Sequence, residues 1–284
     1  MTWQIYIGIC IVTYSLAVLV QRLILRSMTT SPIAFSIVSQ LVCALILGLV
    51  GVAFGQLTWT TDLSSVFWNL GFMTLAYGLG SVVTTLALKT SEASKFTVLF
   101  ATRAFLSIAI AGVMLGEKLT NWQLMGALLI FVGVVITSWQ AKKFVLEKAD
   151  WLTLFGALCF GAANVNDRFI LQQMPLITYN FLAFLLPPLA VAAVFPSQVK
   201  LIPTMFTKIM LLKIGLLSSL YCFSALTFFS ALKIAPNTSQ VVSINLISVI
   251  LIVVLSVILL KERSKLWLKL IGAGVCFAGL MLVS

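Results

Sequence analysis

Ala87-Leu88-Lys89 opens a stretch that passes through an apolar run to Leu115-Gly116-Glu117-Lys118 and on to Gly126 and Gly133. Ala231-Leu232-Lys233 opens a second, which passes through an apolar run to Leu260-Lys261-Glu262-Arg263 and on to Gly272 and Gly279. The glycine spacing is the same in both stretches, and an acidic residue beside a base marks the same junction. Upstream, Gln21-Arg22-Leu23-Ile24-Leu25 is answered by Asp167-Arg168-Phe169-Ile170-Leu171, so the repeat covers nearly the whole chain. Residues 1–143 and 144–284 are the two copies. If each copy crosses a bilayer an odd number of times, the second lies upside down relative to the first. Inverted repeats are the architecture of secondary transporters, in which one repeat rocks against the other around a midplane site.

Composition supports a membrane location. A chain of 284 residues that is 61% hydrophobic and 9% charged cannot hide its apolar residues in a soluble core, since soluble domains carry about 25% charged residues. Apolar stretches, each near the ~20 residues that cross the hydrocarbon, fall at about 3–24, 32–54, 65–88, 94–115, 121–140, 151–171, 177–195, 208–232, 238–260 and 266–283. The expected fold is therefore all-α, with ten transmembrane helices in two inverted five-helix repeats. The tryptophans agree with these spans. Trp3, Trp68, Trp122, Trp139, Trp151 and Trp267 fall at span ends and Trp59 lies in a loop, as expected of indoles, which prefer the interface.

A net charge of +11 would point to nucleic acid in a soluble protein, but here its distribution reports topology, and no nucleic-acid partner is expected. Alternating the loops puts Arg22, Arg26, Lys89, Lys95, Lys142, Lys143, Lys148, Lys200, Lys208, Lys213, Lys261, Arg263, Lys265 and Lys269 on one side, against Lys118, Arg168 and Lys233 on the other. Basic short loops stay in the cytoplasm, so both termini are expected outside a bacterial cytoplasmic membrane. Arg22 and Arg168 read as snorkelling anchors at span ends. The first apolar run lacks a basic leader and a small-residue cleavage site, so no cleavable signal is expected.

Cys10, Cys43, Cys159, Cys222 and Cys276 all lie inside spans without CxxC spacing and read as small packing residues. Histidine is absent, which removes the commonest metal ligand. Neither a metal nor any other cofactor is expected. There is no GxSxG elbow, Walker loop or HExxH, so enzyme chemistry is not expected. Asn237-Thr238-Ser239 follows Pro236 in a short turn and reads as a helix cap rather than a glycan site.

The pattern Leu115-Gly116-Glu117-Lys118-Leu119-Thr120, Gln123, Gly126-Ala127 and Gly133-Val134, with its second copy and Gly161-Ala162-Ala163-Asn164, resembles the drug/metabolite transporter superfamily, EamA-like branch. The resemblance implies a basket in which spans one to four and six to nine surround a central cavity, with spans five and ten bracing it. It also implies transport of small metabolites, with classes ranging over amino acids, nucleotide sugars, phosphorylated sugars and drugs. Two positions depart from the pattern. Relatives often have a proline midway along the fourth span of each unit, where this chain has Arg103-Ala104 and Ser248-Val249. They often have a base in the second span, where this chain has Ser39-Gln40.

Arg103 is the candidate anchor. An arginine deep in a span costs from ~2.5 to over ~10 kcal/mol unless it faces protein or water. It therefore either binds a substrate carboxylate or phosphate or pairs with Asp167, the acidic residue set well inside another span. Asp167 is also a candidate for coupling transport to protons. Tyr77 and Tyr221 are repeat-mates expected to face one chamber. Tyr14, Asn164, Ser243 and Asn245 add hydrogen-bonding groups. Pro187-Pro188 is expected to interrupt the seventh span as a hinge or a static bend. The small-residue spacings Gly51 to Gly55 and Gly112 to Gly116 read as helix packing, which leaves monomer and homodimer both open.

The function expected is a secondary-active carrier or exporter of small polar metabolites by alternating access. Amino acids or related carboxylates come first. Phosphorylated or nucleotide-linked metabolites, or a non-transporting membrane scaffold, are the alternatives. A reporter enzyme fused after Ser284 is expected to be active only outside the cytoplasm, and activity confined to the cytoplasm would overturn the orientation.

Overall fold

The structure is a computed structural model that describes residues 2–58, 64–115, 121–140, 143–144, 146–235, 241, 244–245, 247–261 and 266–283. Helices dominate because nearly every apolar stretch must satisfy its backbone groups internally. The first copy contains α1 (Trp3–Ser27), α2 (Pro32–Ala53), α3 (Phe67–Thr90), α4 (Ala93–Phe100), α5 (Thr102–Leu115) and α6 (Asn121–Ser138). The second contains α7 (Lys148–Gln173), α8 (Leu176–Val194), α9 (Pro196–Val199), α10 (Lys208–Ile234), α11 (Ile247–Leu259) and α12 (Leu266–Val283). A 3-10 turn, Ile202–Met205, precedes α10. Between the copies, Trp139–Gln140 pairs antiparallel with Lys143–Phe144.

Five of the described helices are long and apolar enough to cross a membrane: α1, α2, α3, α8 and α10. Their outward faces carry Leu45, Leu49, Leu75, Leu212, Leu216 and Phe223 exposed, the surface that lipid rather than water covers. Trp68, Trp122, Trp151 and Trp267 stand exposed near helix ends.

Two expectations about continuity are corrected. The fourth span is not one helix but α4 and α5, divided at Ala101. No proline causes the break. The chain tightens there into 3-10 bonding, with Ala104 N–H donating to Ala101 O (3.1 Å) and Ala101 N–H to Val98 O (3.3 Å), and the Thr102 hydroxyl turns back to donate to Leu99 O (2.8 Å). Conversely, α8 runs unbroken through Pro187 and Pro188, which are both buried inside it.

The helix contacts obey a single rule. α1 packs on α10 and α3 on α7, α2 packs on α8, α6 on α12, and α5 on α7 as α11 packs on α1. Exchanging the two copies maps this scheme onto itself. A glycine of the repeated pattern allows a close backbone approach: a Cβ on Gly133 of α6 would lie 2.7 Å from Gly272 O and 2.9 Å from Cys276 N of α12.

Polar ties join helix ends within and between the two copies. Arg22 is not a snorkelling anchor. It is buried, and its Nη1 donates to Leu88 O (2.8 Å) and Lys89 O (2.6 Å), where the end of α3 leaves carbonyls without helical partners. Lys95 of α4 pairs with the fully buried Asp150 at 2.8 Å and with Glu147 at 3.7 Å, at the start of α7. Glu92 pairs with Lys269 of α12.

Gly133→Ala should lower the thermal midpoint in detergent by the equivalent of about 1–3 kcal/mol, because the new methyl meets backbone that cannot move aside. Gly274→Ala, whose Cβ would meet nothing within 4 Å inside the same helix, should leave the midpoint unchanged or raise it, since alanine is the better helix former. Equal midpoints for the two variants would contradict this packing.

Candidate functional site

A cavity of about 230 Å³ opens between the copies. Among the described residues its wall takes side chains from α1, α2, α3, α4, α5, α7, α8 and α10 and from Asn245 ahead of α11, and none from α6 or α12. Tyr14, Tyr77, Arg103, Asn164, Tyr221 and Asn245 all stand on this wall. Ser243 lies outside the described residues.

Arg103 sits at the second position of α5, just past the break at Ala101. Its backbone is held where α5 presses on α7. A Cβ on Gly161 would lie 2.8 Å from Arg103 O, and Ser107 Oγ donates to Gly161 O at 2.8 Å. The guanidinium carbon stands 4.5 Å from the centroid of the Phe100 ring and 5.3 Å from that of Tyr14. Such stacking suits a planar cation and leaves its N–H edge available. Among the described residues no carboxylate pairs with Arg103, and it is the one charged side chain on the wall.

The alternative of an Arg103–Asp167 ion pair is therefore not realised. Asp167 is fully buried and lies behind the wall, where Tyr179 Oη donates to its Oδ1 at 2.5 Å and Tyr77 Oη donates to its Oδ2. Tyr77 thus has two surfaces, with its ring on the cavity and its hydroxyl turned toward the carboxyl. Its ring meets Phe160 edge-on at 5.1 Å. Toward the start of α3, Asn69 Nδ2 donates to Asn166 Oδ1 of α7 at 2.6 Å.

The other copy repeats the arrangement. Tyr221 Oη donates to Gln21 Oε1 at 2.5 Å, and the Tyr221 ring meets Tyr14 edge-on at 6.4 Å. Tyr221 is the mate of Tyr77, Gln21 the mate of Asp167, and Tyr14 falls in register with Phe160. The cavity is thus bordered by two copies of one cluster, with a carboxyl behind the wall in one and an amide on the wall in the other. Asn245 Oδ1 accepts from Cys10 Sγ (3.6 Å), which also contacts Ser224 Oγ at 3.5 Å.

The family model for EamA-like transporters matches residues 1–139 and again 147–284. The chain belongs to the EamA-like transporter family. Its members are transporters of small molecules, and the chain is an integral membrane protein. A solved crystal structure of a protein 14% identical in sequence superposes with a TM-score of 0.66, covering 99% of this chain and 96% of that one. At that identity the likeness shows the fold alone. No curated protein matches.

The family resemblance anticipated a wall built by spans one to four and six to nine. Residue reading missed Gln21, Phe100, Phe160 and Tyr179. For Gln21 the signal existed, since it is the mate of Asp167. For Tyr179, twelve residues further on at the start of the next helix, periodicity offers none.

Tyr179→Phe leaves Asp167 Oδ1 buried without its donor and should cost about 1–3 kcal/mol of stability. Tyr221→Phe should cost less, because Gln21 lines the cavity and its oxygen can turn to water. Thermal midpoints of the two variants in one detergent check the order, and a larger loss for Tyr221→Phe would contradict it.

Proposed function

We propose that this family member is a secondary-active transporter or exporter of small polar organic metabolites, with amino acids or related carboxylates first, working by alternating access at the central cavity. The observation that carries the reading is Arg103: a guanidinium without a carboxylate partner among the described residues, stacked on Phe100 and Tyr14 in a cavity built by both copies. A cation held this way offers two parallel N–H groups to a planar anion. The surrounding tyrosines and apolar rings suit a carboxylate with a partly apolar body. Phosphorylated and nucleotide-linked metabolites would recruit more than one deep base, and the described wall supplies one.

Tyr14, Tyr77, Tyr221, Asn164 and Asn245 supply the remaining contacts in this reading, with Ser243 as a further candidate. Asp167 acts through Tyr77, positioning it, and is the group through which a proton could couple. The units 1–143 and 144–284 are the rocking bodies. With five crossings each they are inverted, and the contact scheme that survives their exchange supports a twofold relation between them. The distribution of basic loops supports both termini outside a bacterial cytoplasmic membrane.

Counterflow in proteoliposomes tests the reading. Liposomes preloaded with unlabelled carboxylates, amino acids or neutral metabolites are offered the labelled solute. Saturable exchange of a carboxylate is expected, reduced roughly 10-fold or more by Arg103→Gln, the scale of a lost charge-assisted hydrogen bond. Exchange unaffected by the substitution would make Arg103 a structural charge. Failure across the whole panel would remove the carrier reading.

A further inference from the structure

We infer that a small pocket beside the break between α4 and α5, separate from the central cavity, binds one halide ion, chloride or bromide, as a counter-ion to Arg103.

The pocket has a volume of about 10 Å³ and lies between α1, α4, the start of α5 and α11. That is the room of one water-sized group, too little for phosphate or for a carboxylate with its carbon skeleton. Arg103 and Tyr14 line both this pocket and the central cavity, whereas Thr97 and Ser248 line the pocket alone. The guanidinium carbon of Arg103 stands 4.5 Å from the centroid of the Phe100 ring, which belongs to the preceding turn. Helical side chains lean toward the N-terminus of their helix, so the cation reaches back along the chain toward Thr97.

Donors dominate the polar groups of this wall. Thr97 is 4% exposed, and its Oγ1 has no hydrogen-bond partner among the described residues. Buried threonines elsewhere return the proton to their own helix, as Thr153 does to Ala149 O (2.7 Å) and Thr227 to Phe223 O (2.7 Å). Thr97 keeps its proton for another acceptor. Tyr77 and Tyr221 donate to Asp167 and Gln21, but Tyr14 donates to no described residue. Arg103 adds N–H groups that no described residue accepts. Ser248 Oγ gives its proton to Asn245 O (2.6 Å), so it adds no further donor and is the side-chain acceptor on the wall. A water molecule has two protons to place as well as lone pairs, and this wall is short of acceptors for them. It also includes a cation at membrane depth with no carboxylate beside it among the described residues, the situation in which an anion is required. A halide meets both conditions: it only accepts, it is spherical and so suits donors from several directions, and it occupies the room of one atom. Bound there, it gives Arg103 a counter-charge while the central cavity is empty.

Thermal midpoints of the purified protein in detergent test the site, measured as chloride or bromide replaces gluconate at constant ionic strength. A ligand that binds only the folded form raises the midpoint progressively with its concentration, and the readout involves no transported solute. The unmodified protein should respond to either halide and not to sulfate. Thr97→Val keeps the shape of the side chain and removes its hydroxyl. It should raise the chloride concentration needed for a given shift about 10-fold or more, the scale of a hydrogen bond to a charged group. Thr97→Ser should respond like the unmodified protein, and Arg103→Gln should lose the response. Monodispersity confirms that each variant folds. Excess chloride NMR line width that bromide displaces should follow the same order across the variants. Identical midpoints in chloride and gluconate would mean that water fills the pocket and would overturn the inference. An equal response to sulfate would overturn it too, as would a full halide response in Thr97→Val or its loss in Thr97→Ser.

Discussion

A guanidinium cannot rest in hydrocarbon, and the placement of Arg103 midway along the broken fourth span requires the helices around it to enclose polar space. The cavity follows from that requirement. So does the ring of aromatic side chains that borders it, since Phe100 and Tyr14 give the cation faces to lie on without neutralising it. Had Asp167 paired with Arg103, the charge would have been spent inside the protein and the chamber would have lost its reason to be wet. Two tyrosines prevent this by occupying the carboxyl oxygens first. They come from α3 and α8, so the same hydrogen bonds that sequester Asp167 also stitch α7 to its neighbours on both sides.

The internal repeat made much of this legible. Ala87-Leu88-Lys89 and Ala231-Leu232-Lys233 fixed the register of the third and eighth spans, and in that register Tyr77 and Tyr221 had to occupy related places. The structure brings both to one chamber with acceptors that are themselves mates. The repeat register likewise brought the glycines of the fifth and tenth spans together, as Gly133 and Gly272 show. Other features had no sequence signal. The break at Ala101 involves no proline or glycine, only a threonine hydroxyl turning back on its own helix. Tyr179 reaches Asp167 across a helix turn-around, a contact without period. Arg22 looked like an interfacial anchor because snorkelling and capping a neighbouring helix both ask for a long cationic side chain near a span end. Only the direction of the side chain separates them.

The ion pairs at the start of α4 and α7 divide the labour differently from the cavity. Glu92 and Lys95 lie within one turn of each other, yet one holds α12 and the other holds the start of α7. The short helix α4 is thereby fastened to two separate elements of the second copy, while its continuation α5 carries Arg103. The break at Ala101 separates the fastened part from the cavity-facing part.

Two copies of one cluster face the cavity, and they are not chemically equal. In a carrier made of inverted repeats the inward-open and outward-open forms are approximate mirror roles of the same two shapes, so identical copies would make the two forms equal in energy. Each mismatch between mates is a weight on one side of that balance. Asp167 and Gln21 form such a mismatch, one in a sealed pocket with two hydroxyl donors, the other beside the chamber with a single one. Under the proposed alternating access, the resting posture of the empty protein, and hence the side of the membrane on which it waits for cargo, is written into an acid-for-amide difference between two tyrosine partners.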